Sequence, residues 1–227
     1  MKAARNIIFD LDGTLVDSAP VFVGVLNEML QERGSQRRAT LDLVRRIASH
    51  GGPALVEGVL GEDCGELSQE VADFRARYAL CHTPLDAMYE GVAEGLQELV
   101  DAGFGLAICS NKPQHLCEKI IADLKLESTF QVIIGSSPGR QPKPEPELMD
   151  LTLAKLHAGA SQCIYVGDSE VDHALAAATG IRFLFVSYGY ADPQWDRTCV
   201  VQFSRFADLV QSVKTERTPA SSFRNVA

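Results

Sequence analysis

The chain has 227 residues, 46% of them hydrophobic and 22% charged, with a formal net charge of −9 at neutral pH. That size and apolar content suffice for one large or two modest domains with a full core. The acidic balance argues against nucleic-acid or membrane partners, which need basic patches, but it allows a phosphate ligand held by a bound cation and a few local Lys or Arg residues.

The first apolar run, Ile7-Ile8-Phe9, is stopped by Asp10 and is too short for the core of a secretory signal; no run approaches the length of a membrane span. A cytoplasmic location is expected. Asn6–Phe9 reads as a buried strand. Residues 18–87 then carry no convincing strand and four helical patterns, at Val21–Arg33, Leu41–Ser49, Pro53–Leu60 and Leu67–Leu80, with Leu41, Val44, Ile47 and Ala48 at helical spacing.

After this insert, short apolar runs alternate with helices. A helix over Val92–Ala102 stops at Gly103, and a strand follows at Gly105–Cys109. Helix Pro113–Leu124, strand Val132–Ile134, helix Pro144–Leu156, strand Cys163–Val166, helix Glu170–Thr179 and strand Phe183–Val186 complete the series. Continuous rather than alternating apolar strands indicate parallel neighbours covered on both faces. The expected fold class is α/β, a doubly wound parallel-sheet (Rossmann-like) core with an inserted all-helical domain. The core spans 1–17 and 88–213, the insert 18–87, and a polar tail expected to be disordered 214–227. Cys64, Cys81, Cys109, Cys117, Cys163 and Cys199 form no C-x-x-C pair and read as packing residues rather than zinc or redox groups.

Ligands of an open parallel sheet bind beyond the carboxyl ends of its strands. The first strand is followed by Asp10-Leu11-Asp12-Gly13-Thr14-Leu15-Val16-Asp17-Ser18, the second by Ser110-Asn111-Lys112-Pro113. Lys143-Pro144 comes after the third, and Gly167-Asp168-Ser169-Glu170-Val171-Asp172 after the fourth. Taken singly, these stretches are a turn, a helix cap, a solvated loop and another cap. Taken together, they bring to one edge the groups that phosphoryl transfer needs. Asp10, Asp12, Asp168 and Asp172 form a self-repelling carboxylate set that calls for an oxygen-liganded cation such as Mg²⁺. Lys143, Ser110 and Asn111 supply donors for phosphate oxygens. One carboxylate can serve as a covalent nucleophile and another as acid and base.

These four stretches closely resemble the motifs of the haloacid dehalogenase superfamily, D-x-D-G-T-x-x-D, Ser/Thr, Lys and G-D-x-x-x-D in turn. Within it the chain is most similar to the phosphoglycolate phosphatase type, through Asp12–Pro20, Ser110–Pro113, Gly167–Asp172 and Ser187-Tyr188-Gly189-Tyr190. It departs from that type at Glu90, which usually is Pro, and at Gly135-Ser136-Ser137, which lacks a common Asp. The resemblance implies that the helical insert is a cap domain and that the enzyme is a Mg²⁺-dependent phosphatase of a small phosphate ester. Asp10 would be nucleophile and metal ligand, and Asp12 the acid/base that also touches the metal through its carbonyl. Asp168 and Asp172 would complete the metal site, and Ser110 and Lys143 would hold the phosphoryl oxygens.

Other chemistries of the superfamily fit less well. Dehalogenases lack the acid that Asp12 supplies, and phosphonate-cleaving relatives need a cap lysine, which residues 18–87 lack. Sugar-phosphate mutases carry a His twelve positions after the nucleophile, where this chain has Phe22. A mutase, or a non-catalytic binding protein of the same fold, is the alternative. Selectivity is expected from the cap. There Arg45, with Arg46 beside it, and the loop His50-Gly51-Gly52 are candidates for contacting a second anionic group, such as the carboxylate of 2-phosphoglycolate. The competing reading is a solvated face followed by a helix break.

Overall fold

The computed structural model describes residues 4–198 and 200–217. Strand β1 (Asn6–Phe9) lies in the middle of a six-stranded sheet with β2 (Gly105–Pro113), β3 (Val132–Ser136), β4 (Cys163–Gly167), β5 (Arg182–Val186) and β6 (Gln202–Phe203). The order is β3-β2-β1-β4-β5-β6, and every pairing is parallel. Asn6 faces Gly105 on one side and Cys163 on the other. The pleat sends Ile7 and Phe9 into one apolar cluster and Ile8 into the other, so an unbroken Ile-Ile-Phe run is buried throughout.

Both sheet faces are covered by helices. On one side lie α5 (Val92–Asp101), α6 (Gln114–Asp123) and α9 (Phe206–Arg217). On the other lie α7 (Glu147–Leu156) and α8 (Glu170–Thr179). The chain moves outward from β1 to β2 and β3, then returns to place β4 on β1's other flank. The order of strand addition therefore reverses between β1 and β4, and the crevice outside their carboxyl ends is where a ligand belongs.

The insert between β1 and α5 is helical, with α1 (Ala19–Glu32), α2 (Leu41–Ala48), α3 (Gly52–Leu60) and α4 (Leu67–Leu80). It is a cap on the α/β core. Its two connections run side by side: Asp17 N–H donates to the Ala87 carbonyl at 2.8 Å, and Tyr89 N–H to the Leu15 carbonyl at 3.1 Å. The cap is apolar beneath, with Phe22, Phe74 and Tyr78 in mutual ring contact. No helix among the described residues is long and apolar enough to cross a membrane.

Some expected boundaries move. β2 runs to Pro113, so α6 begins at Gln114 rather than at the proline. α7 begins at Glu147, because Pro144 and Pro146 keep the residues before them out of the helical region. β6 and α9 were not anticipated. The tail expected from 214 is corrected: residues 214–217 are the last turn of α9, whose Phe206, Leu209, Val210 and Val213 are buried at helical spacing. Residues 218–227 lie outside the described residues, as does Cys199; the five described cysteines are free thiols.

Candidate active site

Asp10 stands where β1 ends. Its N–H still donates to the Val166 carbonyl of β4 at 2.9 Å, which fixes the side chain at the mouth of the crevice. The chain then turns sharply, with the N–H groups of Leu15 and Val16 both directed at the Leu11 carbonyl. Gly13 adopts φ +84° in this turn, and any side chain there would collide with the Asp168 carboxylate. The close approach lets the Thr14 hydroxyl donate to Asp168 Oδ1 at 2.9 Å. Asp168 Oδ2 accepts the Tyr190 N–H at 2.7 Å.

Asp172 sits in the first turn of α8 and serves two structures at once. With Ser169 it forms a capping box, Oδ2 accepting from the Ser169 hydroxyl at 2.7 Å and from its N–H at 3.2 Å. Its Oδ1 lies 2.6 Å from both Lys143 Nζ and the Tyr165 hydroxyl. Lys143 Nζ also lies 3.0 Å from Asp10 Oδ1 and donates to Tyr165 at 3.1 Å. The ammonium stands beside Asp10 off the direction of a hydrogen bond, so Asp10 Oδ1 is a buried oxygen without a hydrogen-bond partner.

One ammonium here faces three buried carboxylates, those of Asp10, Asp168 and Asp172, which offer oxygens all within 4.8 Å of one another. Burial chiefly, then the neighbouring Asp172, pushes the Asp10 carboxyl up to about 6, against the opposing pull of Lys143 and a hydrogen bond from Ser110. Asp168 is raised well above the usual carboxylate range by burial and by repulsion from Asp172 and Asp10. Burial opposes the charge on Lys143, yet Asp10 and Asp172 together hold its pKa above the ordinary lysine value. A buried oxygen without a hydrogen bond, in an under-neutralised all-oxygen cluster, fits a divalent cation.

Asp12 lies apart. It was expected among the metal ligands, but its carboxylate is outside that cluster and is gripped by Lys112 Nζ at 3.0 and 3.1 Å and by the Ser18 hydroxyl at 2.5 Å. Its expected contact with the metal is through the backbone carbonyl, so only its place in the four-carboxylate set is corrected. Lys112 is buried, with its ammonium 4.2 Å from the Tyr78 ring centroid and 4.9 Å from that of Phe22, both on the cap. Burial works against its charge, but Asp12 and Tyr78 keep its pKa raised.

Asn111 lines the cavity over the site beside Ser110. Its amide clamps the lysine loop, accepting from Lys143 N–H at 2.7 Å and donating to the Lys143 carbonyl at 3.1 Å. Ser110 is buried beside Asp10. On the cap, Arg45 is paired with Asp17 at 2.5 Å and His50 is exposed, and neither lines the cavity over the site. Gly51 and Gly52 do line it, with Asp10, Asp12, Ser110, Lys143 and Asp168. The cavity measures about 90 Å³. This is well below the roughly 300–1,000 Å³ of pockets for drug-sized ligands.

Lys112, Tyr165, Tyr190 and Arg75 belong to the surroundings of the site, and the sequence assigned no role to them. Lys112 had a signal, its place in the Ser-Asn-Lys-Pro stretch beyond β2. Arg75 had none, being one of two arginines on α4.

Residues 7–186 match the haloacid dehalogenase-like hydrolase family. The chain is 35% identical over 196 residues to a phosphoglycolate phosphatase of Pseudomonas syringae pv. syringae, covering 83% of this chain and 71% of that protein. It is 32% identical over 232 residues to a phosphoglycolate phosphatase of Colwellia psychrerythraea, covering 94% and 99%. In fold it is similar to the crystal structure of a predicted phosphoglycolate phosphatase from Haemophilus somnus, with a TM-score of 0.79, 24% identity and coverage of 93% and 99%.

Proposed function

The chain belongs to the haloacid dehalogenase-like hydrolases and is a phosphatase of phosphoric monoesters, and from that premise we propose that it is Mg²⁺-dependent and acts on a small ester of the 2-phosphoglycolate type through a phosphorylated Asp10. The observation that carries the reading is Asp10 itself. It has a buried oxygen without a hydrogen-bond partner at the switch point of the sheet, beside Lys143 and in the wall of a small cavity.

In the first step Asp10 attacks phosphorus, an Asp10 O–P bond forms, and the ester O–P bond breaks. The leaving alkoxide takes a proton from Asp12. In the second step Asp12 takes a proton from water, whose oxygen attacks phosphorus and breaks the Asp10 O–P bond, releasing inorganic phosphate. Asp12 is placed for this task in the wall of the same cavity as Asp10. Lys143 and Ser110 hold phosphoryl oxygens. When bound by Asp10, Asp168 and Asp172, Mg²⁺ supplies positive charge against the phosphoryl oxygens.

The substrate class rests on two supports, the names of the relatives and the small cavity. Borohydride trapping followed by peptide mass spectrometry tests the intermediate. Label on Asp10 during turnover is expected; label at another residue would reject the assignment.

A further inference from the structure

Three cations line the cavity, and two are already spent on acids. Lys143 is paired with Asp10 and Asp172, and Lys112 with Asp12. The third, Arg75 on α4, has neither a carboxylate nor a hydrogen-bond acceptor among the described residues. Three other arginines of the cap have carboxylate partners: Arg33 is paired with Glu70, Arg45 with Asp17 and Arg77 with both Asp73 and Glu32. Burial alone, with no compensating charge, acts on the Arg75 guanidinium and lowers its pKa.

The neighbourhood of Arg75 makes its isolation costlier. A side-chain carbon at Gly52 would come 3.6 Å from an Arg75 Nη, so the guanidinium lies against the start of α3. That helix has no side-chain cap at Gly51, and its free N–H groups carry the positive end of the helix dipole. A half-buried cation thus sits beside a second positive feature with no negative group between them. Phe22, Leu55, Phe74 and Tyr78 supply an apolar wall around it. Folding has left a positive charge uncompensated at the cap end of a cavity whose other end is the carboxylate and lysine cluster.

We propose that Arg75 is the subsite for a second anionic group on the substrate, a carboxylate a few atoms from the phosphorus, and so the residue that makes the enzyme select carboxylate-bearing phosphate esters. The proposal rests on the phosphatase reading for the other end of the substrate. It replaces Arg45 and His50, which do not reach the cavity, as the source of selectivity. Because the cavity is small, both anions must belong to one short molecule.

The test compares kcat/KM for 2-phosphoglycolate and for 2-hydroxyethyl phosphate, which has the same chain length but a neutral far end. A charged hydrogen bond lost in Arg75→Gln should lower the first by roughly 10- to 100-fold. The second should stay within about twofold, and Arg75→Lys should recover part of the preference. An equal loss on both esters, or no loss on either, overturns the proposal. Calorimetric binding of 3-phosphonopropionate, which cannot be hydrolysed, separates this proposal from the phosphatase reading. Weaker binding by Arg75→Gln, with propylphosphonate unaffected, supports the subsite even in a protein that turns over neither ester. Arg75-independent binding of 3-phosphonopropionate refutes it even in a protein that hydrolyses both. Arg75→Gln should not lower the melting temperature, since no partner is lost and an uncompensated charge is removed.

Discussion

Asp10 and Asp12 are two positions apart in sequence, yet they live in different electrostatic settings. Asp10 shares its surroundings with Asp168 and Asp172, whereas Asp12 answers to Lys112 and Ser18. Asp10→Asn should abolish turnover while keeping the fold, because the amide is nearly isosteric but a far poorer nucleophile. Asp12→Asn should lower kcat by about 10²–10⁴, the usual worth of a positioned acid and base. Steady-state kinetics with circular dichroism checks both. The pH dependence of metal binding has a definite sign. Without metal, Asp10 titrates near 6 in the folded protein, above its ordinary 3.8. Its contribution to stability is therefore full below the ordinary value and is lost as pH rises through about 6, and Asp168 acts in the same direction. The rise in melting temperature on adding Mg²⁺ should be larger at about pH 7.5 than at about pH 5, and smaller in Asp10→Asn. A shift independent of pH would count against Asp10 as a ligand. At this scale the acids were legible because strand ends announce them. Arg75 and the Lys112–Asp12 pair were not, since both depend on how the cap packs over the core.

The elements explain why these side chains stay in place. Asp172 closes the capping box of α8 and is also the 2.6 Å partner of Lys143. Asp172→Ala opens the capping box of α8 but leaves Lys143 its Asp10 partner at 3.0 Å and relieves repulsion among the acids, so it should cost about 0.5–2 kcal/mol in chemical denaturation. Asn111 grips the backbone of Lys143 from β2, so Asn111→Ala should raise KM and leave the melting temperature nearly unchanged. A KM equal to wild type would mean that Lys143 holds its position without the clamp. β1 and α8 were legible to the residue, one as an apolar run ended by an acid, the other as a span between Ser169 and Gly180. α7 was read three residues too long at its start because the Pro-Glu-Pro turn shares the polarity of a helix N-terminus. α9 carries a helical Phe206, Leu209, Val210 and Val213 spacing in its sequence, and β6, with two residues, is too short for any periodicity.

At the scale of the molecule, core and cap meet through charge as well as apolar contact. Arg45 of α2 pairs with Asp17 in the linker, Tyr190 beyond β5 donates to Asp17 at 2.7 Å, and Lys112 reaches from β2 under the Phe22 and Tyr78 rings. Core and cap residues together line the cavity, and the proposed division of labour gives the phosphate chemistry to the core and the room for the rest of the substrate to the cap. Every part of that account depends on one buried carboxylate set completed by a cation. Phosphate release from 2-phosphoglycolate, followed with Mg²⁺, with excess EDTA and after Mg²⁺ is restored, tests it most directly. Turnover that EDTA stops and Mg²⁺ brings back is the expected result; undiminished turnover in thoroughly chelated buffer would contradict it.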